Sequence, residues 1–98
     1  MWTHAADDAF RALADEKRRL VVRYLVNDDE GVASYEEVID YVASRCSVGS
    51  ERASIALRHS ILPTLAETDL LRYDHDAERI RYRPNELVED ALRVVDGA

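Results

Sequence analysis

Between residues 5 and 68 the apolar positions recur every three or four residues; between 71 and 82 they recur every second residue. The first spacing lines one face of a helix and the second lines one face of a strand. Ala6, Phe10 and Leu13 predict a first helix over residues 5–14. Asp15 is placed to cap a second, residues 16–26, whose buried stripe would be Leu20, Val21, Tyr24 and Leu25. The polar run Asn27-Asp28-Asp29-Glu30-Gly31 predicts a turn, and Val32 and Ala33 a short strand segment. Ser34 and Glu37 have the spacing of a capping box, in which the Ser hydroxyl takes the Glu amide and the carboxylate reaches back. The helix that follows runs to about residue 45 and would bury Val38, Tyr41 and Val42. Gly49 offers a positive φ, and Ser47 or Ser50 offers a cap for a helix over residues 51–68. Pro63 removes one hydrogen bond inside that helix and predicts a kink or a restart. Leu71, Tyr73, Ile80 and Tyr82 alternate with charged residues, which predicts two strands around a turn at residues 75–78. Pro84 ends the hairpin, and Asn85 caps a last helix to about residue 95.

The fold class expected from this order is mostly α with a small β-hairpin, a winged helix-turn-helix in one domain over residues 1–98. The helix-turn-helix occupies about residues 34–68, with its second helix as the reading helix, and the wing about 70–83. The return strand of the wing carries Arg79, Arg81 and Arg83 on one side, with Ile80 and Tyr82 on the other. Such a helix suits a DNA groove and such a hairpin suits the phosphates.

The chain of 98 residues is 47% hydrophobic, long enough to bury a core without staples. One cysteine, Cys46, excludes an internal disulfide framework and a Cys-only zinc site. The apolar run over residues 20–26 is short and broken by Arg23, and Met1-Trp2-Thr3-His4 leads into an acidic stretch. A cytoplasmic protein with no membrane association is therefore expected. The formal charge of −7 bears on any DNA reading. Lys17 is the sole lysine among 13 basic residues, a composition like that of a halophilic archaeon. The acid is concentrated in the chain ends and in residues 27–40, which leaves the reading helix and wing neutral to basic.

The segment LADEKRRLVVRYL, residues 13–25, resembles the opening helix phrase of the ArsR-like winged-helix repressors. Leu62, Leu65, Leu70 and Leu71 sit where that family's recognition helix hands over to its wing. The segment LRHSILPTLAETDLLRYD, residues 57–74, is similar to small haloarchaeal winged-helix proteins of unknown function. The resemblance implies a winged-helix transcriptional regulator that binds double-stranded DNA as a homodimer. The chain departs from the metal-sensing members, whose ligands are Cys pairs or His and acidic residues on the terminal helices. Here Cys46 stands alone and the last helix has no His, so no metal ligand and no cofactor is expected.

Several residues carry the candidate chemistry. Arg52, Ala56, His59 and Ser60 fall opposite Ile61, Leu62 and Leu65 on the reading helix, where small and hydrogen-bonding groups suit base edges. The plainer reading is an ordinary polar helix face. Arg79, Arg81 and Arg83, with Arg72 on the neighbouring strand, are candidates for phosphate contact or minor-groove insertion. The alternative is a solvated strand face cross-paired with Arg72, Asp74 or Glu78. Arg58 points toward the apolar stripe and reads as a structural residue. Lys17, Arg18, Arg19 and Arg23 are better explained by pairing with Asp15, Glu16 or the loop at 28–30 than by DNA. Asp74-His75-Asp76 reads as a solvated turn.

Phe10, Leu13, Leu87, Val88, Ala91, Leu92 and Val95 make the helices at 5–14 and 85–95 candidates for a two-fold interface. The alternative is that these helices cover each other within one chain. No Gly-rich phosphate loop, nucleophile elbow or two-His motif occurs, so no enzyme is expected. Two rival functions remain: a winged-helix module that binds protein and not DNA, suggested by the acidic total, and an effector- or metal-responsive sensor. The acidic, Lys-poor composition also makes a prediction of its own. Self-repulsion is screened in concentrated salt, so the melting temperature should rise from low to molar KCl; a flat or falling value would reject the halophilic reading.

Overall fold

The computed structural model describes residues 4–95. The elements run α1 (His4–Leu13), α2 (Glu16–Asn27), β1 (Val32–Ser34), α3 (Tyr35–Cys46), α4 (Ser50–Ala56), a π-helical turn (Leu57–Ile61), α5 (Leu62–Glu67), β2 (Leu71–Asp74), β3 (Arg79–Tyr82) and α6 (Glu86–Val95). The fold is mostly helical with a small antiparallel sheet, a winged-helix architecture. The Ala6 side chain lies outside the described residues.

Local signals in the sequence fix most of the helix starts. Asp15 caps α2, its carboxylate accepting from the Arg18 amide at 3.1 Å. Ser34 and Glu37 form the full capping box of α3. The Asn85 side chain accepts from the Val88 amide at 3.1 Å and opens α6. Each such cap satisfies amides that have no partner within the helix.

The connection between α3 and α4 differs from expectation. The left-handed residue is Ser47, with φ of 54°, and Gly49 is the cap of α4 with an extended backbone and φ of −69°. Neither Ser47 nor Ser50 caps α4, because Ser47 is spent ending α3 and Ser50 is already helical. The positive φ that does need glycine is at Gly31, 67°, where the chain turns into β1. The Gly31 carbonyl there accepts from the Tyr82 amide at 2.7 Å.

The reading helix is interrupted before its proline. The π-helical turn opens at Leu57, and the Leu62 amide reaches back to the Leu57 carbonyl. Pro63 then falls in the first turn of α5, where its missing N–H costs least. The expected restart is thus made by one wide turn upstream of Pro63. The chain leaves α5 through Thr68, whose buried hydroxyl donates to the Leu65 carbonyl at 2.7 Å, and Asp69, with φ of 62°.

The sheet order is β1-β3-β2, all antiparallel. The return strand of the wing is therefore the central strand. Ile80 is fully buried beneath it, while Arg79 and Arg81 face out. The core joins Val21, Val22 and Leu25 of α2 to Tyr35 and Val38 of α3, Leu57, Leu62 and Leu65 of the reading helix, and Leu71 and Ile80 of the sheet. Truncating one of these leucines to alanine typically costs about 2–5 kcal/mol. The stripe expected for α2 is one residue too narrow: Val22 is buried and Tyr24 is only half-buried. As a central helix, α2 meets neighbours on more than one side. Tyr41 is likewise half-buried, edge-on to Tyr24 with ring centroids 5.1 Å apart and with the Arg45 guanidinium over its ring.

The terminal helices cover each other within the chain. Ala9, Ala12 and Leu13 of α1 and Val88 and Leu92 of α6 are buried there. Tyr82 joins the sheet to α6: its hydroxyl donates to Glu89 Oε2 at 2.8 Å and accepts from the Asn85 amide at 3.3 Å. Burial first, and the Glu89 carboxylate second, hold this phenol in its neutral form well above the usual tyrosine range.

Glu37 generates a pH prediction. The Tyr24 hydroxyl, 2.9 Å from Oε2, and then the Ser34 hydroxyl and amide hold its carboxyl below the usual glutamate value. A carboxyl lowered on folding stabilises the fold above its unfolded pKa, about 4.3, and loses that contribution as pH falls through the lower folded value. Wild type should therefore melt above Glu37→Gln at pH 7, with the gap closing in the acid range. A gap that does not vary with pH would show that the ionised carboxylate contributes nothing.

Candidate nucleic-acid interface

The solvent face of the sheet is an arginine surface. In the register of β2 and β3, Arg72 lies directly opposite Arg81, and Arg79 lies opposite Asp74. Like charges facing each other across strands are destabilising by a few tenths of a kcal/mol to about 1 kcal/mol. Among the described residues, no carboxylate lies within ion-pair distance of Arg72, Arg79 or Arg81. These three, with Glu30, Val32, Tyr73, Asp74 and Ile80, line an open hollow of about 650 Å³. Arg79 also contributes, as a minor influence, to lowering the Glu37 carboxyl.

Arg83 belongs to a different environment. It lies just past β3, where its amide donates to the Leu70 carbonyl at 2.8 Å and its guanidinium pairs with Asp69 at 2.6 Å. It is ion-paired, whereas Arg79 and Arg81 have no carboxylate within ion-pair distance among the described residues.

On the reading helix, Arg52, His59 and Ser60 are exposed and Ala56 is half-buried. Arg52 has no ion-pair partner among the described residues. The residue missed by sequence reasoning is Ile55, 53% exposed between Arg52 and His59. The core side of α4 and the π-helical turn is Ala53, Leu57 and Ile61, and Ile55 lies off it. An isoleucine out of phase with the buried stripe was the available signal.

A latch joins the wing to the reading helix. The Arg58 guanidinium ion-pairs with Glu78, lies 4.8 Å over the Tyr35 ring centroid and donates to the Ser54 hydroxyl at 3.3 Å. The Tyr35 hydroxyl hydrogen-bonds with His75 Nδ1 at 2.9 Å, and its amide donates to the Glu78 carbonyl at 3.0 Å. Burial, partly opposed by the Arg58 charge, raises the Tyr35 phenol above its ordinary value. In the turn itself, the Asp74 carboxylate accepts from the Asp76 and Ala77 amides at 2.9 and 3.3 Å. Asp74 and His75 are thus both engaged in holding the turn.

Beside this latch, Glu36, Asp40, Glu51 and Glu78 line a groove of about 430 Å³ between α3, α4 and the wing turn, with Arg58 as its one cation. The basic run of α2 faces elsewhere. Arg18 and Arg19 donate to the Arg11 and Leu13 carbonyls, at 2.8 and 3.1 Å, closing the C-terminal end of α1. For Arg18 and Arg19, the guanidiniums are thus directed to backbone carbonyls at the end of α1.

Of the residues expected at a two-fold interface, Leu13, Val88 and Leu92 are buried within the chain and Ala91 is half-buried. Phe10, Leu87 and Val95 are exposed, as is Val94. No helix among the described residues is long and apolar enough to cross a membrane.

Neither curated proteins nor solved structures give a significant match to the chain. A family model does match, over residues 10–81, which spans α2 through most of β3 and so covers the helix-turn-helix, the latch and most of the wing. The chain belongs to the family described as Domain of unknown function (DUF7344).

Proposed function

We propose that this protein is a double-stranded DNA-binding transcriptional regulator that acts as a homodimer, a binding module and not an enzyme. The observation that carries the reading is the set of Arg72, Arg79 and Arg81 on the open sheet face, two of them directly opposed and none ion-paired among the described residues. An arrangement that costs the isolated fold energy is relieved by an anion bridging the guanidiniums, and a phosphate backbone supplies a row of them. The latch supports the reading, since it ties the wing to the reading helix. The resemblance to ArsR-like repressors agrees with it.

Assembly into a dimer draws on a revised set of residues. Leu87, Ala91 and Val94 recur at helical spacing on α6 beside the buried Val88 and Leu92. They form an apolar stripe left over after α1 and α6 have covered each other, and a second copy meeting it about a two-fold axis suits a palindromic site.

The acidic groove favours a second reading, in which the domain binds a basic protein segment between α3, α4 and the wing turn. The two readings differ in which surface matters. Replacing Arg72, Arg79 and Arg81 with alanine should weaken binding to all duplexes alike. It should also flatten the slope of log affinity against log salt by about 0.9 for each phosphate that the variant no longer neutralises. Equal slopes for variant and wild type reject the sheet face as the phosphate-binding surface. The assembly prediction uses Leu87→Asp with Val94→Asp, because Leu92 is buried and its substitution would test folding. A folded monomer with reduced affinity for a palindromic duplex is expected. A wild type that sediments as a monomer at high concentration in high salt rejects the dimer.

A further inference from the structure

We infer that Ile55 is a specificity-determining residue that reads the C5 methyl group of a thymine in the major groove; the inference rests on the DNA reading and deepens it. Ile55 is 53% exposed although it is one of the most apolar side chains in the chain. It does not serve the core, which takes Ala53, Leu57 and Ile61 from the same stretch. Its exposed neighbours on the helix are polar: Glu51 and Arg52 before it, His59 and Ser60 after it. On this helix Ile55 is therefore a solitary apolar point among hydrogen-bonding groups, not part of an apolar patch.

That distinction selects the partner. A protein-docking surface needs several apolar anchors packed together in a desolvated centre. The edge of a base pair in the major groove presents donors and acceptors with one apolar feature, the thymine methyl. Arg52, three residues earlier and not ion-paired among the described residues, and His59, four residues later, offer hydrogen bonds to bases or phosphates on either side. Branching at Cβ restricts the first side-chain torsion of isoleucine, so its methyl groups are held in place before contact. The acidic groove lies along the Glu51 and Ser54 side of α4, and Ile55 is not among the residues that line it.

Deoxyuridine isolates the methyl group, because it keeps thymine's pairing and groove acceptors and lacks only that group. A preferred duplex is first selected from random sequence with the wild-type protein. Each thymine in it is then replaced singly by deoxyuridine, and affinities are measured for wild type, Ile55→Ala and Ile55→Val. Loss of one buried methyl group, about 0.8 kcal/mol, corresponds to about a fourfold weakening. Wild type and Ile55→Val should show that loss at one thymine in each half-site, and Ile55→Ala should bind the thymine and deoxyuridine duplexes equally there. The melting temperature of Ile55→Ala should match the wild type, since the side chain is outside the core. An Ile55→Ala protein that keeps the wild-type preference for thymine overturns the inference. So does a wild type that binds a selected sequence with no position sensitive to the methyl group, and this outcome leaves the DNA reading standing. A wild type that retains no duplex at all overturns both.

Discussion

Tyr35 is the residue on which the arrangement of this domain depends. It begins α3, directly after the capping serine, and is almost entirely buried. Three parts of the chain meet on it. Its amide donates to the Glu78 carbonyl, its hydroxyl bonds to His75, and its ring carries the Arg58 guanidinium. The wing turn and the reading helix are therefore referred to the same aromatic ring. A buried phenol needs a partner for its hydroxyl, and the wing turn supplies one. The turn at residues 75–78 is held as well by its own Asp74 carboxylate and by the Arg58–Glu78 ion pair.

The latch accounts for how the charges are distributed. Glu78 and Arg58 neutralise each other at the wing turn, and Asp69 neutralises Arg83 at its base. Between these two ends, Arg72, Arg79 and Arg81 have no carboxylate within ion-pair distance among the described residues, although Arg79 stands opposite Asp74 and its charge reaches Glu37. Arg79 and Arg81 sit on the central strand, so their side chains are not needed to guard an edge. Protecting an open edge is the usual structural reason for charge on a small sheet, and it does not apply to β3. Paired charges at the wing's ends and exposed charges without an ion pair on its face are the pattern on which the proposed anion-binding role of that face rests.

The frame of the domain was legible in the sequence because local chemistry specifies it. The capping box at Ser34, the caps at Asp15 and Asn85, and the two-residue alternation of the hairpin each depend on residues close together in the chain. Features set by tertiary competition were less legible. Ser47 takes the left-handed position that suits Gly49, because α3 ends at Cys46, before the chain reaches the glycine. Pro63 announces a break, but spacing alone does not show that a π-helical turn upstream absorbs it. Arg83 looks equivalent to Arg79 and Arg81 in the sequence, yet Asp69, fourteen residues earlier in the chain, stands beside it. Ile55 escapes notice because an isoleucine is assigned to the core by default, although its phase on the helix argues against it.

The net charge of −7 does not by itself exclude the DNA partner proposed above, because charges act over limited distances. At 0.1 M salt the Debye length is about 10 Å, and at 1 M it is about 3 Å. In concentrated salt the carboxylates of the α3–α4 groove repel only what enters that groove, while guanidiniums that touch phosphate still make direct, geometrically specific hydrogen bonds. An acidic protein can then read DNA through a few contact arginines, provided the reading edge of its helix is not itself acidic. Glu51 is the one carboxylate exposed on α4, and it borders the groove, while Arg52, Ile55 and His59 are exposed outside it. The acidic groove and the neutral-to-basic edge therefore meet between two adjacent residues, Glu51 and Arg52. For the duplex proposed above, that boundary would bias the docking angle. A duplex rotated toward α3 would meet the groove and be repelled, so the same carboxylates that lower the net charge favour the orientation in which Arg52, Ile55 and His59 face the bases.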